Sequence, residues 1–183
     1  MEWVMGIVPV VLLVLGFPIF IILLATAAII LMIFAPVPPM AMHINMFGSV
    51  DKFALMAVPF FIFAGEIMGH GGISKRIVAW VLSIIGGVRG SLALTTVGTC
   101  TVFGAISGSS PATVAAVGRL LYGPLRNAGY NEKFSSGLLA SSGAIAIVIP
   151  PSISMILYGA SAEQSVALLF IAGVIPGLLM AAL

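Results

Sequence analysis

Residues 149–159 read Ile-Pro-Pro-Ser-Ile-Ser-Met-Ile-Leu-Tyr-Gly, which sets two prolines and two serines inside a segment otherwise apolar enough to cross a bilayer. Each proline lacks a backbone donor and clashes with the carbonyl four residues earlier. Pro150 and Pro151 therefore predict a helix that stops and restarts, leaving carbonyls unpaired. At membrane depth such open backbone survives only under protein or beside a watery cavity, and there it commonly binds ions or substrate.

The rest of the chain supplies the membrane. Of its 183 residues 61% are hydrophobic and only 7% charged, and the mean hydropathy is +1.28. A soluble domain carries roughly a quarter of charged residues, so this composition predicts an all-α integral membrane protein. The apolar runs are too many and too long for one cleaved leader. A net charge of +2 without a basic, aromatic-interleaved cluster gives no footprint for nucleic acid. Cys100 is the single cysteine, so no internal disulfide forms, and two histidines without grouped Cys, Asp or Glu offer no transition-metal site.

Working outward along the chain, residues 3–50 hold no Asp, Glu, Lys or Arg. That is too long for one span of about 20 residues and predicts two. Gly16-Phe17-Pro18 divides them into a short helix near 3–15 and a span near 18–34, closed by Pro36, Pro38 and Pro39. A polar connector with His43, Asn45, Asp51 and Lys52 follows, then a span near 53–68 ended by Gly71-Gly72. Ser74 caps an amphipathic segment with Ile77, Val78, Val81, Leu82 and Ile85 on one face. It is too short to span, and reads either as an arm along the membrane surface or as a plain loop helix. These boundaries give amino-terminal scaffold helices over 1–73, an arm over 74–88, and a third part over 89–183.

In that third part, Ser107-Gly108-Ser109-Ser110-Pro111-Ala112-Thr113 interrupts an apolar stretch. Either two helices cross the membrane with this segment as an outer loop, or a re-entrant hairpin over 89–125 enters and leaves on one side. Limbs over 91–106 and 112–122 would be roughly 24 and 16 Å long against a core near 30 Å, which favours the hairpin. A broken helix over 134–160 and a further span over 165–183 complete the pass, and the apolar Ala-Ala-Leu ending predicts a chain cut mid-protein. If 90–123 is re-entrant, Lys75, Arg76, Arg89, Arg126 and Lys133 share one side and Arg119 can snorkel to it. That side is cytoplasmic, with Lys52 and the amino terminus outside.

The hairpin tip and the helix break share small residues, hydroxyls and freed carbonyls, and no charge. Several neutral oxygens can replace the hydration shell of an alkali cation, while helix amino termini at Pro111 and Ser152 favour an anionic group such as a carboxylate. Gly104, Gly108 and Gly143 permit close backbone approach. Small-residue helix packing plus a proline kink is the bland reading of each motif alone. Glu66 is the one carboxylate within an expected span. It reads either as a proton-coupling group or as an interfacial partner of Lys75 or Arg76. His43 and His70 are expected at the interface, and Trp3 and Trp80 as interface anchors.

At these residues the chain resembles the large, DctM-type membrane subunit of tripartite ATP-independent periplasmic (TRAP) transporters. The resemblance is carried by PFFIFAGEIM (59–68), GGISKR (71–76), AISGSSPATVAAVG (105–118), AGY (128–130), IPPSISMILYG (149–159) and AGVIPGLLMAAL (172–183). It implies the first half of an inverted-repeat, elevator-type secondary transporter in the bacterial inner membrane, driven by sodium and importing organic acids such as dicarboxylates and sugar acids. It further implies a small four-helix membrane subunit and a periplasmic substrate-binding protein as partners, with no cofactor beyond the coupling Na+. By position, Ser107, Gly108, Ser109 and Ser110 of the tip and Ile149, Pro150 and Ser152 of the break would hold sodium. Ser110, Thr113 and Pro151 would face the organic acid. Two departures stand out: Ala146 occupies a position where the family often has a second glycine, and the family's subunit is over twice as long.

Two other readings compete. An intramembrane serine hydrolase could use Ser107, Ser109 or Ser110, but needs a base, for which only His43 and His70 exist, and no GxSxG pattern occurs. A structural bundle that transports nothing is the third.

Overall fold

A computed structural model describes residues 2–34 and 38–183, without the side chains of residues 2, 3, 39 and 42. The expected Pro36 closure lies outside the described residues, and the Trp3 anchor rests on a side chain outside them. Within them the chain is helical with no strand, and falls into two compact units, 1–51 and 52–183.

The first unit holds α1 (Glu2–Val14), α2 (Ile19–Ile33) and α3 (Pro39–Val50), with α1 packed on α2. The segment expected near 18–34 is helical as α2, over 15 residues. One expectation is corrected here. The expected polar connector contains α3, whose N-cap is Pro38 and whose first residue is Pro39. A proline run that closes one helix is also a favoured start for the next, because the first helical residue has no intrahelical use for its N–H.

The second unit begins with a 3-10 turn, Phe53–Met56, continuous with α4 (Ala57–His70). Together they form an 18-residue apolar helix, the one among the described residues long and apolar enough to cross a membrane by that measure. It is no soluble core helix, for Phe60 and Phe63 are 69% and 65% exposed. α5 (Ile73–Ile85) comes next, capped by Gly72 at φ +79° rather than by Ser74, whose buried hydroxyl donates to the Met68 carbonyl at 3.4 Å. By compactness α4 belongs with the helices after it in the chain, packing on α6 and α7.

α6 (Ser91–Ser107) and α7 (Ser110–Asn127) fold back on each other through Gly108-Ser109, and both pack on α8 (Glu132–Ala144). α7 is 18 residues long and carries Pro124 inside it, so the expected stop at Tyr122 is wrong. Burial of Leu121 and Leu125 against the core holds the turn that Gly123-Pro124 would otherwise end. At about 26 and 27 Å the two limbs are nearly equal, and limb length no longer separates a re-entrant hairpin from two crossings.

α8 runs into a 3-10 turn, Ile145–Ile147, and irregular backbone to Ser152, with the Pro150–Pro151 peptide cis, before α9 (Ile153–Ala162) and α10 (Val166–Ala182). The expected break is therefore present. Hydroxyls share the interior with Phe103, Val117 and Leu125: Thr95, Thr96, Thr99, Ser107, Thr113, Ser135 and Ser152 are fully buried, whereas Leu168, Ile171 and Ile175 of α10 are about 70% exposed. Small hydroxyl residues inside and large aliphatics outside suit a helix bundle solvated by lipid.

Candidate functional site

The αL conformation of Gly108, φ +62°, ends α6 and turns the chain into α7. At that turn the Ser107 hydroxyl lies 3.0 Å from the Thr113 hydroxyl, and Thr113 Oγ1 donates to the Ser109 carbonyl at 2.8 Å. The Ser109 carbonyl also accepts the Thr113 N–H at 3.0 Å. The tip is thus knotted to its own second limb through two buried hydroxyls. Thr113, expected to face substrate, is fully buried inside this knot.

The break is organised differently. Ser152 caps α9, accepting the Met155 N–H at 3.4 Å while its own hydroxyl donates across the gap to the Ile147 carbonyl at 2.6 Å. Among the described residues the carbonyls of Val148, Ile149, Pro150 and Pro151 accept no hydrogen bond. Two prolines have removed the donors that regular helix would supply. Ile149 is buried, while Pro150 and Pro151 are half-buried.

Tip and break touch. The Ile153 N–H, an orphan donor at the start of α9, donates to the Gly108 carbonyl at 3.1 Å. A Cβ on Gly108 would lie 2.8 Å from the Pro151 carbonyl oxygen, so the contact needs glycine twice over, for conformation and for room. The structure therefore brings together Ser107, Gly108, Ser109, Ser110 and Thr113 with Pro151, Ser152 and their neighbours. Ser110, the first residue of α7, turns toward Gly143 of α8, its hydroxyl 3.6 Å from where a Cβ there would sit.

Residues outside the sequence reading complete the enclosure. A Cβ on Gly65 of α4 would stand 3.3 Å from that of Ser107. Gly173 and Gly177 of α10 lie against the Val148 carbonyl and the Ile149 backbone, where added Cβ atoms would come within 2.7 and 3.2 Å. Their four-residue spacing, the small-xxx-small pattern of close helix contacts, is the signal that would have found them. Gly104 packs on Ala146, with only 2.6 Å from an added Cβ to that of Ala146, so the glycine on α6 makes the room that Ala146 occupies.

Glu66 meets His70 of its own helix, Oε1 to Nδ1 at 3.6 Å, and not Lys75 or Arg76 as expected. The spacing of four residues on one helix face explains it. Lys52 pairs with Glu163 at 3.2 Å, joining the start of α4 to the end of α9.

Known proteins are similar to this sequence over most of its length. Residues 7–183 match the family described as the tripartite ATP-independent periplasmic transporter, DctM component. The chain is 41% identical over 155 residues to the C4-dicarboxylate TRAP transporter large permease protein DctM of Pseudomonas aeruginosa, covering 85% of the chain and 36% of that relative. It is 44% identical over 173 residues to the ectoine/5-hydroxyectoine TRAP transporter large permease protein UehC of Ruegeria pomeroyi, covering 93% and 40%. It is 48% identical over 133 residues to the isethionate TRAP transporter permease protein DctMQ of Oleidesulfovibrio alaskensis, covering 73% and 21%. The chain thus spans at most about two-fifths of the length of these relatives. With a hydroxyl-lined helical hairpin docked on a proline-broken helix and this match over nearly its whole length, the chain belongs to the DctM family of TRAP transporter membrane components.

Proposed function

We propose that this chain forms the amino-terminal part of a sodium-coupled secondary transporter that imports an organic acid across the bacterial inner membrane. The Ile153 N–H to Gly108 carbonyl bond, beside four carbonyls without donors, carries the reading. Sodium sits where the hydroxyl-rich tip, Ser107 to Ser110, meets the backbone of Ile149, Pro150 and Ser152, and these neutral oxygens replace its hydration shell. Ser110 and Pro151 border the organic acid, with the amino terminus of α7 favouring its carboxylate. Thr113 holds the tip in shape from within.

The hairpin is re-entrant in this reading. Burial of Ser107 and Gly108 between helices supports it, since an outer loop would lie in water. The small membrane subunit and a periplasmic binding protein that delivers cargo are the partners, and α5 is the arm joining scaffold to moving part. The relatives' names specify a C4-dicarboxylate, ectoine and isethionate. These names span different cargoes, and an organic acid is the class we propose for this chain. A hydrolase is disfavoured because the Ser107 hydroxyl is engaged by Thr113 and Ser109 rather than by a histidine that could take its proton.

The test is uptake by the assembled permease in proteoliposomes, with sodium or potassium outside. Sodium is expected to be required, and Ser109→Trp to abolish uptake while assembly persists. Equal uptake in potassium would end the sodium reading, and full activity of Ser109→Trp would remove the tip from the site.

A further inference from the structure

A second cleft, between α4, α5 and α7, encloses about 150 Å³ and is separate in chemistry from the neutral site above. Small residues keep it open: Gly65 and Gly69 from α4, and Ala112 and Ala116 from α7. Its charged groups are Glu66 and His70 of α4, Lys75 of α5 and Arg119 of α7. Glu66 Oε1 lies 3.6 Å from His70 Nδ1, which sits nearer the Glu66 backbone carbonyl at 3.1 Å, whereas neither Lys75 nor Arg119 has an ion-pair partner among the described residues. Two exposed cations from different helices thus line a small cleft whose one carboxylate is Glu66.

The start of α5 adds donors of a second kind. Gly72 lines the cleft as the N-cap of α5, and no side chain caps that helix, because Ser74 turns its hydroxyl to the Met68 carbonyl. First-turn N–H groups without a capping acceptor favour an oxyanion. On another face of α5, Trp80 and Ile84 are 56% and 67% exposed, an apolar surface on the same short helix as the cationic cleft. That pairing matches the depth at which lipid headgroups meet acyl chains.

We propose that this cleft binds a phosphate oxyanion of the kind an anionic lipid headgroup presents, held by Lys75, Arg119 and the amino-terminal N–H groups of α5. A phosphate takes several donors at once, and an arginine fork, an ammonium and a helix terminus supply them from three directions. The proposal stands whether or not the neutral site carries sodium. Occupancy would tie the arm helix to α7 through one shared ligand.

Native mass spectrometry of the assembled permease tests it, after release from nanodiscs of phosphatidylcholine with and without phosphatidylglycerol. Retained phosphatidylglycerol is expected to fall about tenfold or more in Lys75→Gln/Arg119→Gln, since each lost contact is a charge-assisted hydrogen bond. Lys75→Arg keeps the charge and is expected to keep the lipid, which separates lost binding from lost folding. Glu66→Gln removes the one negative group and is expected to raise retention about two- to fivefold. A second arm adds inorganic phosphate and reads 31P line broadening. Broadening that Lys75→Gln/Arg119→Gln abolishes, without lipid retention, upholds the oxyanion site with a soluble source. Lipid retention and broadening both unchanged in the double variant, or retention lowered by Glu66→Gln, would overturn the proposal.

Discussion

The hairpin tip and the helix break interrupt helices by different physics. The tip is a closed set of hydrogen bonds: Ser107, Thr113 and the Ser109 carbonyl satisfy one another, and a single αL glycine makes the turn. The break stays open, with four carbonyls unpaired and one hydroxyl, Ser152, bridging the gap. An unpaired polar group costs about 1–3 kcal/mol where it is also cut off from water; at the break Ile149 is buried, while Val148, Pro150 and Pro151 are half-buried. The difference teaches that the tip is closed by its own side chains while the break leaves backbone oxygens available, which is the feature the proposed sodium site draws on.

The largest effect should come from the atom pair where the two meet. Gly108→Ala puts a Cβ 2.8 Å from the Pro151 carbonyl at a residue with φ +62°. The left-handed conformation alone costs about 1–2 kcal/mol for an alanine. Backbone, not a flexible side chain, must then move, and overpacking adds about 1–3 kcal/mol. Loss of sodium-dependent uptake in an assembled protein with a lowered melting temperature is the expected outcome. Retained uptake and melting temperature would mean that tip and break do not meet as described.

Next in size is Gly104→Ala, which drives a Cβ against Ala146 at 2.6 Å and should destabilise by about 1–3 kcal/mol. The swap Gly104→Ala/Ala146→Gly returns the volume to the other side of the contact. A double-mutant cycle on thermal stability should show favourable coupling of about 1 kcal/mol or more. Additive losses would place the cause elsewhere on α6.

Ser152→Ala should cost about 1–2 kcal/mol, by removing the cap on Met155 and stranding the Ile147 carbonyl. Thr113→Val, which leaves the Ser107 hydroxyl only its 3.4 Å contacts with Ser109, should cost about 1 kcal/mol. Transport separates the two: Ser152→Ala should shift the sodium concentration for half-maximal uptake, because it loosens the open element. Thr113→Val should lower stability with a smaller shift. The reverse ranking would exchange the roles assigned to tip and break.

Much of this contrast is legible in the sequence because it is written in covalent constraints. Pro150 and Pro151 lack N–H groups wherever they stand, and Gly108 among serines marks a turn. The hidden part depends on partners distant in sequence. That Ile153 donates to Gly108, or that Gly173 and Gly177 lie on the break, comes from tertiary packing alone. α3 escapes a sequence reading because its proline start looks the same as a helix end. The extra length of α7 escapes it because buried Leu121 and Leu125 override a local breaker. Thr113 is expected at the substrate by resemblance alone, and a hydroxyl one turn into a helix gives no sign in the sequence that it will close on Ser107 and Ser109.

The smallest predicted effect isolates one component of the largest. Glu163 ends α9 at φ +54°, the same left-handed region as Gly108, but with a side chain and in the open. Its carboxylate reaches Lys52 with 79% of the side chain exposed, and exposed pairs contribute about 0–1 kcal/mol. Glu163→Gly should relieve about 1 kcal/mol of backbone strain while losing that pair, for a net change near zero or slightly stabilising. Glu163→Gln loses the pair alone and should be neutral to slightly destabilising. Subtracting the two melting shifts gives the left-handed penalty free of any steric contact. If Gly108→Ala exceeds that penalty severalfold, the surplus measures how tightly tip and break are pressed together. If the two penalties match, the Pro151 contact is soft and the tip is free to part from the break.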